Sequence, residues 1–477
     1  MHTSKNIFYN VLLAISQVLF PLITFPYLAR TLGPENIGLI NFAESFAKYF
    51  VVLAALGIPV YGVREIAKYA NDKLKRSNLF LEIFSINLFC TLLFSLLFFI
   101  CIQIFPELNQ HGTLFKWALL YFLLQIFNLE WFFSGLGEFK FIALRSFFIR
   151  LLFILFVFIF IKSKWDFLKY MQMQVGLSIV LGCINFIRIN KLIQFNKDNF
   201  MNLDFKQHLK PLFYLFLTIF SISIYFSLDT ILLGFLADNE SVGYYSTSLK
   251  LNRLVIAVLS AISAAMFPTI MNYFQNKDLN QFNALIKDCF FLLVSLSLPI
   301  VVIFIGCAEE IIEILFGNNF HRAITPFQIT TPLIFIVSLS TIFGFQVLSA
   351  LGKDKQILHA ALYGMFISII LSLLLVPTFK EIGTSIAILI TESVVCIGFI
   401  YYSFKYYPIP GLLPIFLDQI KTLIPYIIIL FIAKYLISFI ILRMIFVVLL
   451  SLIWFIAYYL YINKNNFYAK LLQKYIS

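Results

Sequence analysis

Glu44 and Lys48 stand four residues apart in a run otherwise without charge, and Lys250 and Arg253 stand three apart in a second such run. Both spacings put the two side chains on one face of a helix. An ionisable group in a membrane-crossing helix costs about 2.5–3.5 kcal/mol on insertion scales, so it turns toward a protein interior or a wet cavity. Two readings of Glu44 and Lys48 follow. One is an intrahelical ion pair that reduces its own desolvation; the other is a cavity wall. In the second reading Lys48, Lys250 and Arg253 hold an anionic group, the lysines as point charges and the arginine through a bidentate fork. Arg30, at the end of the first apolar run, adds to that field or snorkels to headgroups.

The acidic residues Asp229, Glu130 and Glu392 also lie inside apolar runs, and Glu82 opens another. With Glu44, the first three are candidates for proton or sodium coupling, with helix–helix hydrogen bonding as the structural alternative. Tyr244, Tyr245, Trp131 and Phe132 could stack on sugars or anchor the chain at an interface. The five histidines are scattered without ligand spacing, so no metal site is expected. The chain has no GxxxxGK[ST] phosphate loop, no HExxH and no GxSxG, and Gly135-Leu136-Gly137 lacks the third glycine of a dinucleotide fingerprint. Neither ATP hydrolysis nor hydrolytic catalysis is supported, and no cofactor is expected.

These residues are positioned by an unusual chain. Of 477 residues, 61% are hydrophobic and only 12% charged, too apolar for soluble domains. Apolar runs of about 20 residues, enough to cross a hydrocarbon layer of about 30 Å, recur along the length. They predict an all-α polytopic membrane protein with fourteen helices near 7–28, 37–59, 78–104, 116–134, 146–162, 169–187, 211–236, 243–268, 288–307, 325–349, 357–376, 383–404, 419–437 and 440–462. The first run is too long for a signal peptide and lacks an A-x-A site, so it reads as a retained helix. The six cysteines show no paired spacing and read as packing residues.

An even number of spans puts both termini on one side. The net charge of +12 is carried mostly by Lys and Arg at span ends, which address a membrane face rather than a nucleic acid. The clusters from Arg64 to Arg76, from Lys140 to Arg150 and from Arg188 to Lys210, with the tail's Lys464, Lys470 and Lys474, share one side and make it cytoplasmic.

An internal repeat adds organisation. Glu35-Asn36-Ile37-Gly38 aligns with Glu240-Ser241-Val242-Gly243, Lys48 with Arg253, and Lys5 with Lys210. At a similar offset, Ser134-Gly135-Leu136-Gly137-Glu138-Phe139-Lys140 aligns with Ser349-Ala350-Leu351-Gly352-Lys353-Asp354-Lys355. The repeat predicts two six-helix lobes in parallel orientation, residues 1–210 and 211–404, followed by a terminal helix pair and tail over 405–477. In the first shared turn, Gly33 ends a helix, Pro34 suits an early position of the next, and Glu35 sits near its positive dipole end.

Leu28-Ala29-Arg30-Thr31-Leu32-Gly33-Pro34-Glu35-Asn36-Ile37-Gly38, then Val242-Gly243-Tyr244-Tyr245-Ser246 with Lys250-Leu251, then Leu315-Phe316-Gly317, and finally Leu348-Ser349-Ala350-Leu351-Gly352-Lys353-Asp354 resemble the polysaccharide transporter family. That family belongs to the multidrug/oligosaccharidyl-lipid/polysaccharide exporter superfamily, and the likeness is greatest to O-antigen flippases of the Wzx type. It extends to about residue 404. The resemblance implies two lobes that alternate access to a central cavity in the cell inner membrane. The implied cargo is an undecaprenyl-diphosphate-linked oligosaccharide, carried from the cytoplasmic to the periplasmic leaflet with ion coupling. A polymerase of the same pathway is a candidate partner. An enzyme reading, as a membrane glycosyltransferase or polymerase, competes with this one, but such proteins usually need a sizeable loop over a lipid-linked acceptor, and the longest outer loop, about 308–324, is short. A third reading is a lipid II or multidrug exporter of the same superfamily.

Overall fold

The computed structural model describes residues 2–194 and 203–459, and among these every regular element is a helix. Eleven helical stretches are long and apolar enough to cross a membrane. Two of these stretches are kinked and each carries two of the expected spans, and one further helix, Lys206–Leu236, carries the seventh. The end of the last expected span and the basic tail with Lys464, Lys470 and Lys474, like Lys197, lie outside the described residues.

The chain divides into two compact units, Met1–Gly243 and Tyr244–Ser477. The first holds α1 (His2–Ala55), α2 (Ile58–Lys68), α3 (Lys73–Ile104), α4 (Pro106–Asn109), α5 (Gly112–Leu124), α6 (Glu130–Gly135), α7 (Phe139–Phe160), α8 (Phe167–Leu192), α9 (Lys206–Leu236) and the first turn of α10 (Asn239–Gln275). Inside α1 the backbone breaks at Gly33, with φ 78°. That conformation favours glycine, and Pro34 opens the next segment with φ already fixed.

Sequence periodicity did not separate α2 from its neighbours. Its mix of apolar and charged residues is that of a helix lying along an interface. Ile58, Tyr61, Gly62 and Ile66 are buried, while Arg64 and Lys68 keep more than half of their side-chain surface. The fourth expected span is likewise not continuous. A 3-10 turn over Gln125–Phe127 ends α5, and α6 restarts at Glu130. At the break the Phe127 carbonyl accepts from the Leu129 backbone N–H at 3.0 Å and from the Asn185 side-chain amide at 2.7 Å. Backbone groups cannot be left unpaired at membrane depth, so this side chain makes the interruption tolerable.

The interior of the first unit is aromatic. Phe46 meets Phe98 with ring centroids 4.9 Å apart, Phe115 at 6.1 Å and Phe235 at 6.1 Å, mostly edge to face. Such pairs contribute about 0.5–1.5 kcal/mol beyond burial. The lipid-facing sides of α3 and α7 keep large apolar groups exposed, among them Phe89 and Phe148. In a bilayer this costs nothing.

The second unit continues α10 and adds α11 (Leu279–Gly306), α12 (Ala308–Phe316), α13 (Ile324–Thr330), α14 (Leu333–Ser340), a π-helical turn over Thr341–Leu348, α15 (Asp354–Tyr406), α16 (Leu412–Lys421), α17 (Leu423–Leu436) and α18 (Ile440–Ala457). The outer loop expected at 308–324 is largely helical: Glu309 and Glu310 occupy the first turn of α12, where the dipole favours them, and Ile312 and Phe316 are buried. Lys380, with φ 48°, breaks α15 between its two spans. The terminal pair is fastened to the rest of this unit. Gly306 makes room for Leu430, which would lie 2.6 Å from an added Cβ, and Arg443 on α18 reaches Glu310 on α12.

Candidate functional site

In the first unit Glu44 of α1 gathers three donors around one carboxylate. Glu44 Oε2 accepts from Lys48 Nζ at 3.0 Å, and Oε1 accepts from the Tyr170 hydroxyl at 3.1 Å and from the Gln174 side-chain amide. Tyr170 and Gln174 are one helical turn apart on α8. The two ends of the ion pair differ in exposure: the Glu44 side chain keeps 10% of its surface and Lys48 keeps 55%. Both carboxylate oxygens are therefore occupied by donors while the ammonium presents much of its surface outward. Lys48 is thus the exposed member of the pair and Glu44 the buried one.

Asp229 is 4% exposed on α9, and its Oδ1 accepts from the Thr230 backbone at 2.7 Å. One turn on, Gly234 receives Phe42, whose ring would lie 2.4 Å from an added Cβ. Glu130 opens α6 and lies within electrostatic reach of Arg145 and Arg150 on α7. Arg30 is exposed near the end of the first segment of α1.

In the second unit Asn252 is fully buried, donating to Thr330 Oγ1 at 2.9 Å and accepting from Thr331 Oγ1 at 3.4 Å. At about 100° per residue, Lys250 and Arg253 lie away from the Asn252 face and within about 60° of each other. Both are partly exposed. Glu392, 7% exposed, sits on the second segment of α15. The structure therefore joins Glu44 to Lys48, and helical spacing sets Lys250 beside Arg253. Among the described residues, no three His, Cys, Asp or Glu side chains gather as a metal-ligand set.

Three groups went unremarked in the sequence. Tyr170 and Gln174 carry a weak signal, polar groups at helical spacing in an apolar run. A second group is buried: His208 Nε2 lies 2.8 Å from Glu82 Oε2, and its Nδ1 lies 2.7 Å from the Tyr61 hydroxyl. Glu82 also accepts from the Asp204 backbone at 2.9 Å. Burial pushes the Tyr61 phenol above its ordinary range, with Glu65 adding to the shift. The third is Arg145, 6% exposed and bonded to Asn185.

Comparisons with known proteins fit this architecture. The family described as polysaccharide biosynthesis protein matches residues 3–274. A protein of Escherichia coli (strain K12) named "Putative O-antigen transporter" is 28% identical over 395 residues, covering 82% of this chain and 94% of that one. A protein of the same name from Shigella dysenteriae is 22% identical, covering 82% and 97%. Among solved structures, the lipid II flippase MurJ in an inward closed conformation superposes with a TM-score of 0.70 at 16% identity, covering 95% of this chain and 99% of that one. An inward-facing multidrug transporter of the MATE family scores 0.64 at 14% identity, covering 83% and 98%. At these identities the structural likenesses show the fold.

Proposed function

Since the chain belongs to the polysaccharide biosynthesis protein family, we propose that it is a flippase rather than an enzyme. Its cargo is an undecaprenyl-diphosphate-linked oligosaccharide of the O-antigen type. It moves this cargo from the cytoplasmic to the periplasmic leaflet of the inner membrane by alternating access between lobes 1–210 and 211–404, with both termini in the cytoplasm. The observation that carries the reading is the braced cation: a half-exposed Lys48 whose carboxylate partner is saturated by Tyr170 and Gln174, in a chain that aligns with nearly the full length of two proteins named for O-antigen transport. A diphosphate needs positive charge inside the bilayer. Lys48, Lys250 and Arg253 supply it, with Arg30 at the outer end. Asp229, Glu44, Glu130 and Glu392 are the residues assigned to proton or sodium coupling, and a polymerase of the same pathway would take the delivered unit.

The test is neutralisation of Lys48, Lys250 and Arg253 one at a time in a deletion strain. Loss of surface polysaccharide with the protein still inserted supports the assignment, and full activity in all three variants overturns it. The deletion strain itself should accumulate lipid-linked single repeat units in the inner leaflet. Units that instead reach the periplasm and fail to lengthen would make the chain a polymerase.

A further inference from the structure

Outside these charged clusters, α7 and α8 enclose a cavity of about 600 Å³ with two unlike ends. At the end formed by the start of α7 and the end of α8, the lining is Glu138, Lys140, Arg145 and Arg188. Away from it the walls are wholly apolar, including Phe148, Leu152, Leu155 and Val180. Leu152 and Leu155 are 37% and 49% exposed, so this part opens sideways to the surroundings of the helices.

The charged end carries three cations against one carboxylate. Glu138 is committed to Arg188, whose guanidinium donates to both of its oxygens at 2.8 and 2.9 Å. Phe141 lies between the guanidinium groups of Arg145 and Arg188, each 5.6 Å from its ring centroid. The Nε groups of both arginines are buried with no hydrogen-bond partner. Buried donors without acceptors cost about 1–3 kcal/mol each, a demand that an incoming anion oxygen relieves after a small side-chain shift.

We infer that this cleft is a binding site for an acidic phospholipid of the cytoplasmic leaflet, with the phosphodiester held by Lys140, Arg145 and Arg188 and an acyl chain laid against Phe148, Leu152 and Leu155. The charge balance selects the occupant. A single negative phosphodiester complements the excess cations, whereas the amine of a zwitterionic headgroup would be repelled. The lining has no amide or hydroxyl side chain to hold a sugar, which sets the cleft apart from a path for lipid-linked glycan. Basic pockets between helices on the cytoplasmic side are a recurrent form of lipid recognition.

The site is tested on the purified full-length chain in a neutral detergent by thermal unfolding against added lipid. Phosphatidylglycerol raises the midpoint saturably, while phosphatidylcholine and inorganic phosphate leave it unchanged. Lys140→Gln weakens the apparent affinity for phosphatidylglycerol about fivefold, the effect of one cation at a membrane surface. Leu152→Trp, a change at a lipid-exposed position, fills the apolar part and removes the saturable response. An equal response to phosphatidylcholine or inorganic phosphate, or wild-type responses in both variants, overturns the proposal. If undecaprenyl diphosphate gives the response and phosphatidylglycerol does not, the cleft belongs to the cargo and the phospholipid assignment fails.

Discussion

Gly38 lies against the backbone of Gly243, and Gly243 against that of Pro34. A Cβ on Gly38 would stand 2.6 Å from the Gly243 nitrogen and 1.7 Å from the Asn239 carbonyl oxygen, and a Cβ on Gly243 would stand 2.0 Å from the Pro34 carbonyl oxygen. The neighbours are main-chain atoms at the starts of two helical segments, so they cannot swing aside as a side-chain tip would.

Gly38→Ala and Gly243→Ala are therefore each expected to destabilise the folded arrangement by about 1–3 kcal/mol, despite the gain of about 0.5–1 kcal/mol that alanine normally brings to a helix interior. Gly176→Ala, where nothing lies within 4 Å of the added carbon, is the control and should be neutral or slightly stabilising. Thermal unfolding of the three purified variants checks the ordering. A Gly38 variant as stable as the Gly176 control would show that the close approach is dispensable.

The pair formed by Glu44 and Lys48 should separate stability from transport. With Lys48 55% exposed, the coupling in a double-mutant cycle of unfolding free energies is expected to be below about 1 kcal/mol. In the proposed function Lys48 also holds the anionic part of the cargo. Loss of one charge-assisted contact is worth about 1.5–3 kcal/mol, so Lys48→Gln should lower transport about tenfold or more. Tyr170→Phe removes one brace of Glu44 while sparing the cation, and should cost less. Export of lipid-linked units, measured alongside protein level in the membrane, gives both readouts.

Helix positions were legible in the sequence because each apolar run must match the bilayer, and Gly33 with Pro34 marked the first turn. The interruption at Asn128 was not, because its enabling contact is an Asn185 side chain far along the chain, and hydropathy does not register a carbonyl satisfied from a distance. The candidate site was legible to the extent that it is local. Glu44 and Lys48 pair within one helix, so spacing alone brought them together. Tyr170 and Gln174 reach Glu44 across separations of 126 and 130 residues, and no periodicity encodes that. His208 escaped notice for the same reason, its partner Glu82 lying 126 residues away.

His208 is 2% exposed and joins two otherwise separate groups, the Tyr61 hydroxyl and the Glu82 carboxylate. His208→Ala removes that partner from both; Glu82 keeps the Asp204 backbone donor, while a buried hydroxyl left without its partner costs about 1–3 kcal/mol. The expected result is a clear fall in the thermal midpoint. Tyr61→Phe removes only the hydroxyl and should fall by less. If the two variants are equally affected, the bond to Glu82 contributes little.

At the other end of the first unit, His111 supplies a pH dependence whose sign can be worked out. Its Nε2 lies 3.2 Å from the Asn239 side-chain nitrogen. An amide N–H can donate only to an unprotonated ring nitrogen, so this contact suits the neutral imidazole. Burial lowers the His111 pKa from its ordinary 6.5, with the charge of Glu35 opposing the shift. The folded state thus favours the neutral form, so the stabilisation is complete above the unfolded value and is lost as pH falls through the folded one. Asn239 also supplies the carbonyl that packs on Gly38, so protonation acts at the same junction as the glycine pair. The thermal midpoint of the wild type should drop between about pH 7.5 and about pH 5.5, the range in which histidine changes charge, and His111→Gln should drop less over the same interval. Parallel curves for the two proteins would mean that the imidazole does not report on that junction.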